Sequence, residues 1–367
     1  MIKKLALSVI SLDECFPQKG FSGGGHKVTK KLIEGLIESK NFEIDIFCKK
    51  SSIQEIEGIN SITVLSKKTF KSDLQAKLNE KKYDYVLSSD ILLPFANNLV
   101  HSNSSKYKTK NGKNIFQQQI LKIFNAKKIK TQQKNLAYDK ATFTVSSGLK
   151  NDFVSSYNLD GNKVFVCHPA IDNYSAFVAP EINKTFVIGS IVGGGLNKGG
   201  YLLLRALKKL PKSENIKARV IFPKYHKSGL FRNTVKLLGL SDRVEVLPKQ
   251  ADMDAYYKSI DCYALPSLNE AFGLVVTEAA SNSKPSIVSS TTGVRELIND
   301  GENGFIFDRE QNPVGSLAKK LQEVSKIYFS EHDKFVEVAK NAHVTSQALD
   351  WKKFTECIKN NMIGEQS

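Results

Sequence analysis

The chain is 367 residues long, with 41% hydrophobic and 25% charged residues, a size and balance that suit two globular domains rather than one. No stretch approaches the roughly 20 apolar residues that span a bilayer, and no internal repeat or low-complexity run is present. The formal net charge of +16 points to anionic partners: nucleic acid, an anionic membrane or an anionic substrate.

The five cysteines, Cys15, Cys48, Cys167, Cys262 and Cys357, are scattered and form no C-x-x-C pair. Neither a disulfide framework nor zinc is expected from them, and the cytoplasm is the expected compartment. Short apolar strands alternate with helical patterns from the first residues onward, the pattern of a parallel sheet covered by helices. The segment Met1 to Ile10 imitates a signal peptide, but its apolar run is short and meets Asp13 and Glu14 without a small-residue cleavage site. It reads as the first strand, Leu5 to Ile10.

A glycine loop, Phe21-Ser22-Gly23-Gly24-Gly25-His26, comes next, then Val28, Leu32, Leu36 and Ile37 at helical spacing and a strand at Ile44 to Phe47. Without a Cβ, the backbone at Gly23 and Gly24 can approach a ligand closely. A strand, a glycine loop and a helix also describe dinucleotide-binding proteins. There is no G-x-G-x-x-G here, however, although Asp45 could stand for its acidic partner. Tyr85 to Leu87 is a further strand. Another, from Asn98, ends on His101, which at the carboxyl edge of a parallel strand faces the crevice where open α/β sheets bind ligands.

Between Lys106 and Lys140 ten lysines stand against one acid, Asp139. Phe116, Ile120, Ile123 and Phe124 fit one helical face beside Lys122, Lys127 and Lys128. Such a segment suits an anionic membrane surface, or a helix docked on its own domain with solvated lysines. Nucleic acid is not expected as its partner.

Thr142 to Val145 reads as a strand, with Ser147 capping the next helix. The polar stretch Ser175 to Lys184, with Pro180, reads as a linker. The pattern then restarts. A strand at Thr185 to Val192 is followed by the loop Gly193-Gly194-Gly195-Leu196-Asn197-Lys198-Gly199-Gly200 and a helix from Tyr201 to Leu210. Strands at Val220 to Phe222 and Val244 to Leu247 follow; later, Leu317 to Tyr328 reads as a helix capped by Ser316.

Cys262 to Leu265 reads as a short buried strand, and the apolar spacing after Gly273 reads as a helix that ends ahead of Pro285. Glu270 therefore lies on a strand-to-helix loop and Glu278 on the first part of the helix. The N–H groups around Phe272, Gly273 and Leu274 would point out of the helix N-terminus, where a phosphate is favoured. Two carboxylates then flank a phosphate pocket, placed to accept hydrogen bonds from sugar and ribose hydroxyls.

The run from Glu270 to Glu278 resembles the E-x7-E signature of retaining GT-B glycosyltransferases of the GT4-type, or group 1, family. The likeness continues through Thr292-Gly293-Val294-Arg295-Glu296-Leu297-Ile298 and Asp300-Gly301-Glu302-Asn303-Gly304. It covers nearly the whole chain, most densely from about residue 262 to 306. The fold it implies is α/β, with two Rossmann-like domains facing each other: residues 1–178 on the acceptor side, 185–345 binding the nucleotide sugar, and a terminal helix, 346–367, crossing back to the first domain.

The implied reaction moves a sugar from a nucleotide-diphospho-sugar to a hydroxyl of a glycan or lipid-linked glycan in cell-surface polysaccharide synthesis, with retention. It implies no metal and no cofactor beyond the donor substrate, and a cytoplasmic protein, peripheral on the inner face of the membrane. Carried over by motif position, Glu270, His101 and Lys198 are catalytic. Gly23, Gly24, Lys198, Phe272, Gly273, Leu274 and Glu278 bind the donor, Lys198 on the diphosphate and Glu278 on the ribose. One departure stands out. The family's arginine ahead of that lysine is absent, with Val192 or Gly193 in its region, so a non-catalytic GT-B subunit and a nucleotide-sugar epimerase remain as alternatives.

Overall fold

Apolar residues that follow one another without alternation make strands buried on both faces, the mark of a parallel sheet between helices. The computed structural model describes residues 2–17, 23–89, 91–102, 126–136, 139–172, 174–193 and 196–364. In it β1 (Lys3–Ser11) is such a strand, with Leu5, Leu7 and Val9 buried on one face and Ala6 and Ser8 on the other. The segment that imitates a signal peptide is thus an interior strand of a sheet.

The chain divides into two units, Met1–Pro169 with Asp350–Ser367, and Ala170–Leu349. The first unit joins β1, β2 (Phe42–Lys50), β3 (Ser61–Val64), β4 (Tyr85–Ser89), β5 (Asn97–Val100), β6 (Thr142–Thr144) and β7 (Val164–Val166). They form one seven-stranded sheet in the order β3-β2-β1-β4-β5-β6-β7, parallel throughout. Chain order reverses between β1 and β4, and at such a switch point the carboxyl edges leave a crevice for a ligand. The helix Gly24–Glu38 covers the sheet with Val28, Leu32, Ile33 and Leu36. The edge strand β3 carries no sequence signal, because its four residues are not buried.

Asp45 does not stand ready for a nucleotide. Its buried carboxylate accepts from Lys81 Nζ at 2.5 Å, Ser61 Oγ at 2.5 Å, Asn60 Nδ2 at 2.7 Å and the Tyr83 hydroxyl at 2.7 Å. Burial by itself would raise its pKa, but these four donors hold it down at about 2.

The helix Trp351–Ile363 belongs to the first unit, where Gly35 leaves room for the Thr355 side chain at its crossing with Gly24–Glu38. A disulfide, Cys167–Cys357, with Cα atoms 5.9 Å apart, fastens that helix to the residue after β7. This corrects the expectation that no cysteines pair. Partners 190 positions apart leave no spacing to read. Cys15, Cys48 and Cys262 form no disulfide and are buried.

In the second unit β8 (Phe186–Ile191), β9 (Ile216–Ile221), β10 (Val244–Leu247), β11 (Cys262–Leu265), β12 (Ser286–Ser289) and β13 (Phe305–Phe307) form a six-stranded sheet, β10-β9-β8-β11-β12-β13. It too is parallel throughout. Its switch point lies between β8 and β11. The stretch read as a linker is part of this unit: Ser175 Oγ donates to Ser281 O at 2.6 Å, Asn183 N to the Tyr328 hydroxyl at 2.8 Å, and His332 Nε2 meets Pro180 O at 3.0 Å.

Two helix starts differ from expectation by the side chain that reaches the open N–H groups. Ser146, not Ser147, accepts from Leu149 N at 3.1 Å and caps Ser147–Tyr157. Asn312, with Pro313 in the first turn, caps Pro313–Ser330, while Ser316 Oγ accepts from Asp308 N at 2.9 Å. Among the described residues no helix is long and apolar enough to cross a membrane. The apolar face at Phe116, Ile120, Ile123 and Phe124 lies outside the described residues. Residues 126–134 are helical with Lys127, Lys128, Lys130 and Lys134 exposed.

Candidate active site

Both loops at the second unit's switch point are shaped by glycine. After β8 the chain passes through the turn Leu196–Lys198 to Gly199, whose φ is +71° and where a Cβ would collide with the Pro266 carbonyl. Only glycine combines that dihedral with that approach. Leu268 N donates to Asn197 O at 2.7 Å, so the Lys198 loop lies directly on the loop after β11. The consequence is an ion pair between residues 72 positions apart: Lys198 Nζ is 2.5 Å from Glu270 Oε2.

The backbone of Glu270 is held as firmly as its side chain. Gly293 N donates to Glu270 O at 2.9 Å and Val294 N to Phe272 O at 2.8 Å, so the loop rests on the Thr292–Val294 segment. Gly273, at φ +121° and with Leu265 and Val294 against it, then turns the chain into the helix Leu274–Ser281. As a cap residue without a side chain, Gly273 makes no side-chain bond to the first turn; Val276 N donates to Gly273 O at 2.9 Å, and such a helix start suits an anion. Phe272 itself points into the core, 4% exposed. Glu278 is half-buried on this helix, and its Oε2 accepts from the Tyr257 hydroxyl at 3.1 Å.

At the position of the absent arginine stand Val192, which is buried, and Gly193. Gly194 and Gly195 lie outside the described residues. Arg295, on the turn Gly293–Leu297, is exposed.

In the first unit the glycine loop and His101 come together. Gly23 precedes the helix Gly24–Glu38, and a Cβ on Gly25 would overlap the His101 imidazole, so backbone and ring are in direct contact. Thr29 and Ser89 hydroxyls, 2.8 Å apart and buried, tie the helix's start to the end of β4. His26 Nε2 lies 2.7 Å from Glu14 Oε2. That pair, like Tyr257, was not legible in the sequence, because an acid after a strand and a tyrosine in a helix carry no pattern of their own.

His101 as a residue is half-buried, but its ring nitrogen Nε2 is shut off from water. Burial, and then the neighbouring His26, push its pKa down to about 4 from 6.5, so at neutral pH the ring is uncharged. Because the folded state binds this proton more weakly than the unfolded chain, the stability it contributes is complete above about pH 6.5 and is lost as pH falls towards 4. Thermal melts across this window are expected to show up to roughly 3 kcal/mol of loss in the wild type and a flatter profile in His101→Asn. Equal slopes would remove His101 as the cause.

Residues 177–342 match the family profile of the glycosyl transferases group 1. The second unit belongs to the group 1 glycosyltransferases. A D-inositol 3-phosphate glycosyltransferase of Mycobacterium sp. (strain KMS) is 32% identical over 172 residues, 42% of this chain and 38% of the relative. The chain thus matches well under half the length of that relative. Among solved structures, WaaG, a glycosyltransferase involved in lipopolysaccharide biosynthesis, superimposes with a TM-score of 0.74 at 15% identity, over 98% of this chain and 100% of WaaG. Anabaena Alr3699/HepE, solved in complex with UDP and glucose, gives 0.69 at 14% identity, over 99% of this chain and 100% of that one. At such identity these likenesses establish the GT-B fold.

Proposed function

We propose that this chain transfers a sugar from a nucleoside-diphosphate sugar to a hydroxyl of a glycan or lipid-linked glycan in cell-surface polysaccharide synthesis, retaining the anomeric configuration. The observation that carries the reading is the Lys198–Glu270 pair at 2.5 Å, at the second sheet's switch point and next to a helix N-terminus. In this pair each charge satisfies the other. An arriving diphosphate draws Lys198 to its oxygens and releases Glu270 to accept hydrogen bonds from the sugar.

When the anomeric C–O bond breaks, its electrons stay on the leaving diphosphate. Lys198, once drawn over, and the N–H groups at the start of Leu274–Ser281 stabilise that charge. Glu278 takes the ribose diol, and His101, neutral and packed on the glycine loop, serves as a hydrogen-bonding wall of the first unit's site. The involvement of WaaG in lipopolysaccharide biosynthesis and the UDP and glucose bound by HepE support the substrate class.

The test is a thermal-shift screen of UDP, GDP and ADP and their sugars. Proton NMR of the product formed with the best donor then reads the anomeric configuration, with and without EDTA. A product of unchanged anomeric configuration that survives EDTA supports the reading. An inverted product refutes retention, and EDTA sensitivity refutes metal independence. Turnover of donor without an acceptor favours the epimerase, and no donor binding favours a non-catalytic subunit.

The lysines exposed on helix 126–134 support an anionic membrane surface as a further partner. The protein is expected to sediment with anionic vesicles at low salt and to be released at high salt. Equal partitioning with neutral vesicles would leave only a solvated face.

A further inference from the structure

Beside Glu270 and Glu278 lies a cluster of three buried tyrosines, Tyr256, Tyr257 and Tyr263, with ring centroids 5.7 Å apart for the first two and 6.1 Å for the last two. Two of the hydroxyls are spent on the backbone of the sheet. The Tyr256 hydroxyl donates to Arg219 O at 2.8 Å, and the Tyr263 hydroxyl accepts from Ile191 N at 3.1 Å. Gly189 is where a Cβ would crowd the Tyr256 hydroxyl and Ile260. The third hydroxyl points elsewhere, at the Glu278 carboxylate.

We propose that Tyr257 is a positioning residue for nucleotide binding, holding the Glu278 carboxylate in the orientation in which it meets the ribose. This rests on the reading of Glu278 given above and adds the residue that makes it effective. The Tyr257 hydroxyl has one proton and two acceptors in reach, Glu278 Oε2 at 3.1 Å and Val275 O at 3.4 Å. The shorter and charged acceptor is the stronger.

A glutamate reaching from a helix has several rotatable bonds, and pinning them only when ligand arrives costs affinity. Tyr257 pins Glu278 beforehand. Its ring is fully buried and cannot swing away, and burial followed by the Glu278 charge raises its hydroxyl well above the ordinary tyrosine range, so it stays a donor at any working pH. Holding one carboxylate oxygen fixes where the other points.

The experiment is a double-mutant cycle by calorimetry, using whichever of UDP, GDP and ADP raises the melting temperature most. Its proteins are the wild type, Tyr257→Phe, Glu278→Ala and the double variant, with Tyr256→Phe as control. Tyr257→Phe keeps the ring and its packing. It is expected to weaken nucleotide binding about three- to tenfold, to raise KM for donor with kcat little changed, and to have no further effect once Glu278 is alanine. Tyr256→Phe removes the hydroxyl of the neighbouring buried tyrosine and is expected to leave affinity unchanged, which separates positioning from loss of packing. Wild-type affinity in Tyr257→Phe, alongside weakened binding in Glu278→Ala, overturns the inference and leaves the reading of Glu278 standing. Unchanged affinity in Glu278→Ala overturns that reading itself.

Discussion

Lys198→Ala is expected to slow sugar transfer by about 100- to 1,000-fold, or roughly 2.7 to 4 kcal/mol in the barrier, the usual effect of removing one preorganised charge donor. The reason is local. In the proposed reaction a diphosphate leaves with growing negative charge, and the position that would hold a planar, five-donor guanidinium is occupied by Val192 and Gly193, which have no cationic group. Lys198 is the cation that reaches Glu270, and the two loops that bring it there are locked by Gly199 and the Leu268–Asn197 backbone bond.

The Lys198 and Glu270 side chains are 43% and 24% exposed, so water screens the ion pair and it adds little to stability. A rate loss is therefore not a folding loss, and the melting temperature of the variant is expected to stay close to the wild type. Product formation with an identified donor, measured for both proteins side by side, checks it. If Lys198→Ala turns over as fast as wild type, or if donor binds and neither protein turns over with any acceptor, the catalytic role of this pair is wrong.

The second large effect concerns stability. Cys167→Ser, or reduction of the Cys167–Cys357 bond, is expected to destabilise the first unit by about 2–5 kcal/mol. The chain leaves this unit after Pro169 and returns at Asp350, and the bond joins the two segments near those points. Its ring of 190 positions contains the whole second unit. Where that unit stays folded while the first one melts, the excursion is already shortened and the gain falls toward the lower figure. Calorimetry with and without a phosphine reductant reads the shift, and a non-reducing peptide map reads the bond. Alkylation of both thiols without reduction, or an unmoved transition, would show that the helix Trp351–Ile363 is held by packing alone.

Some of this was legible in the residues themselves. Apolar runs such as Leu5 to Leu7 and Cys262 to Leu265 belong to strands covered on both faces, and their alternation with helical spacing specifies parallel sheets. Glycine before an apolar helical stretch, as at Gly273, marks a strand-to-helix turn with open N–H groups. The likeness of Glu270 to Gly304 named the family because residue type and spacing are both local.

Tertiary structure decided the rest. The pairing of Lys198 with Glu270 depends on β8 and β11 being neighbours, which is a property of sheet order and not of either loop. The contact of Gly25 with His101, the grip of Tyr257 on Glu278 and the Cys167–Cys357 bond arise in the same way, between residues with no common period. A helical or extended pattern reports which face of one element is buried. It carries no information about which other element lies against that face, because the pattern repeats every few residues while the partners are separated by tens to hundreds.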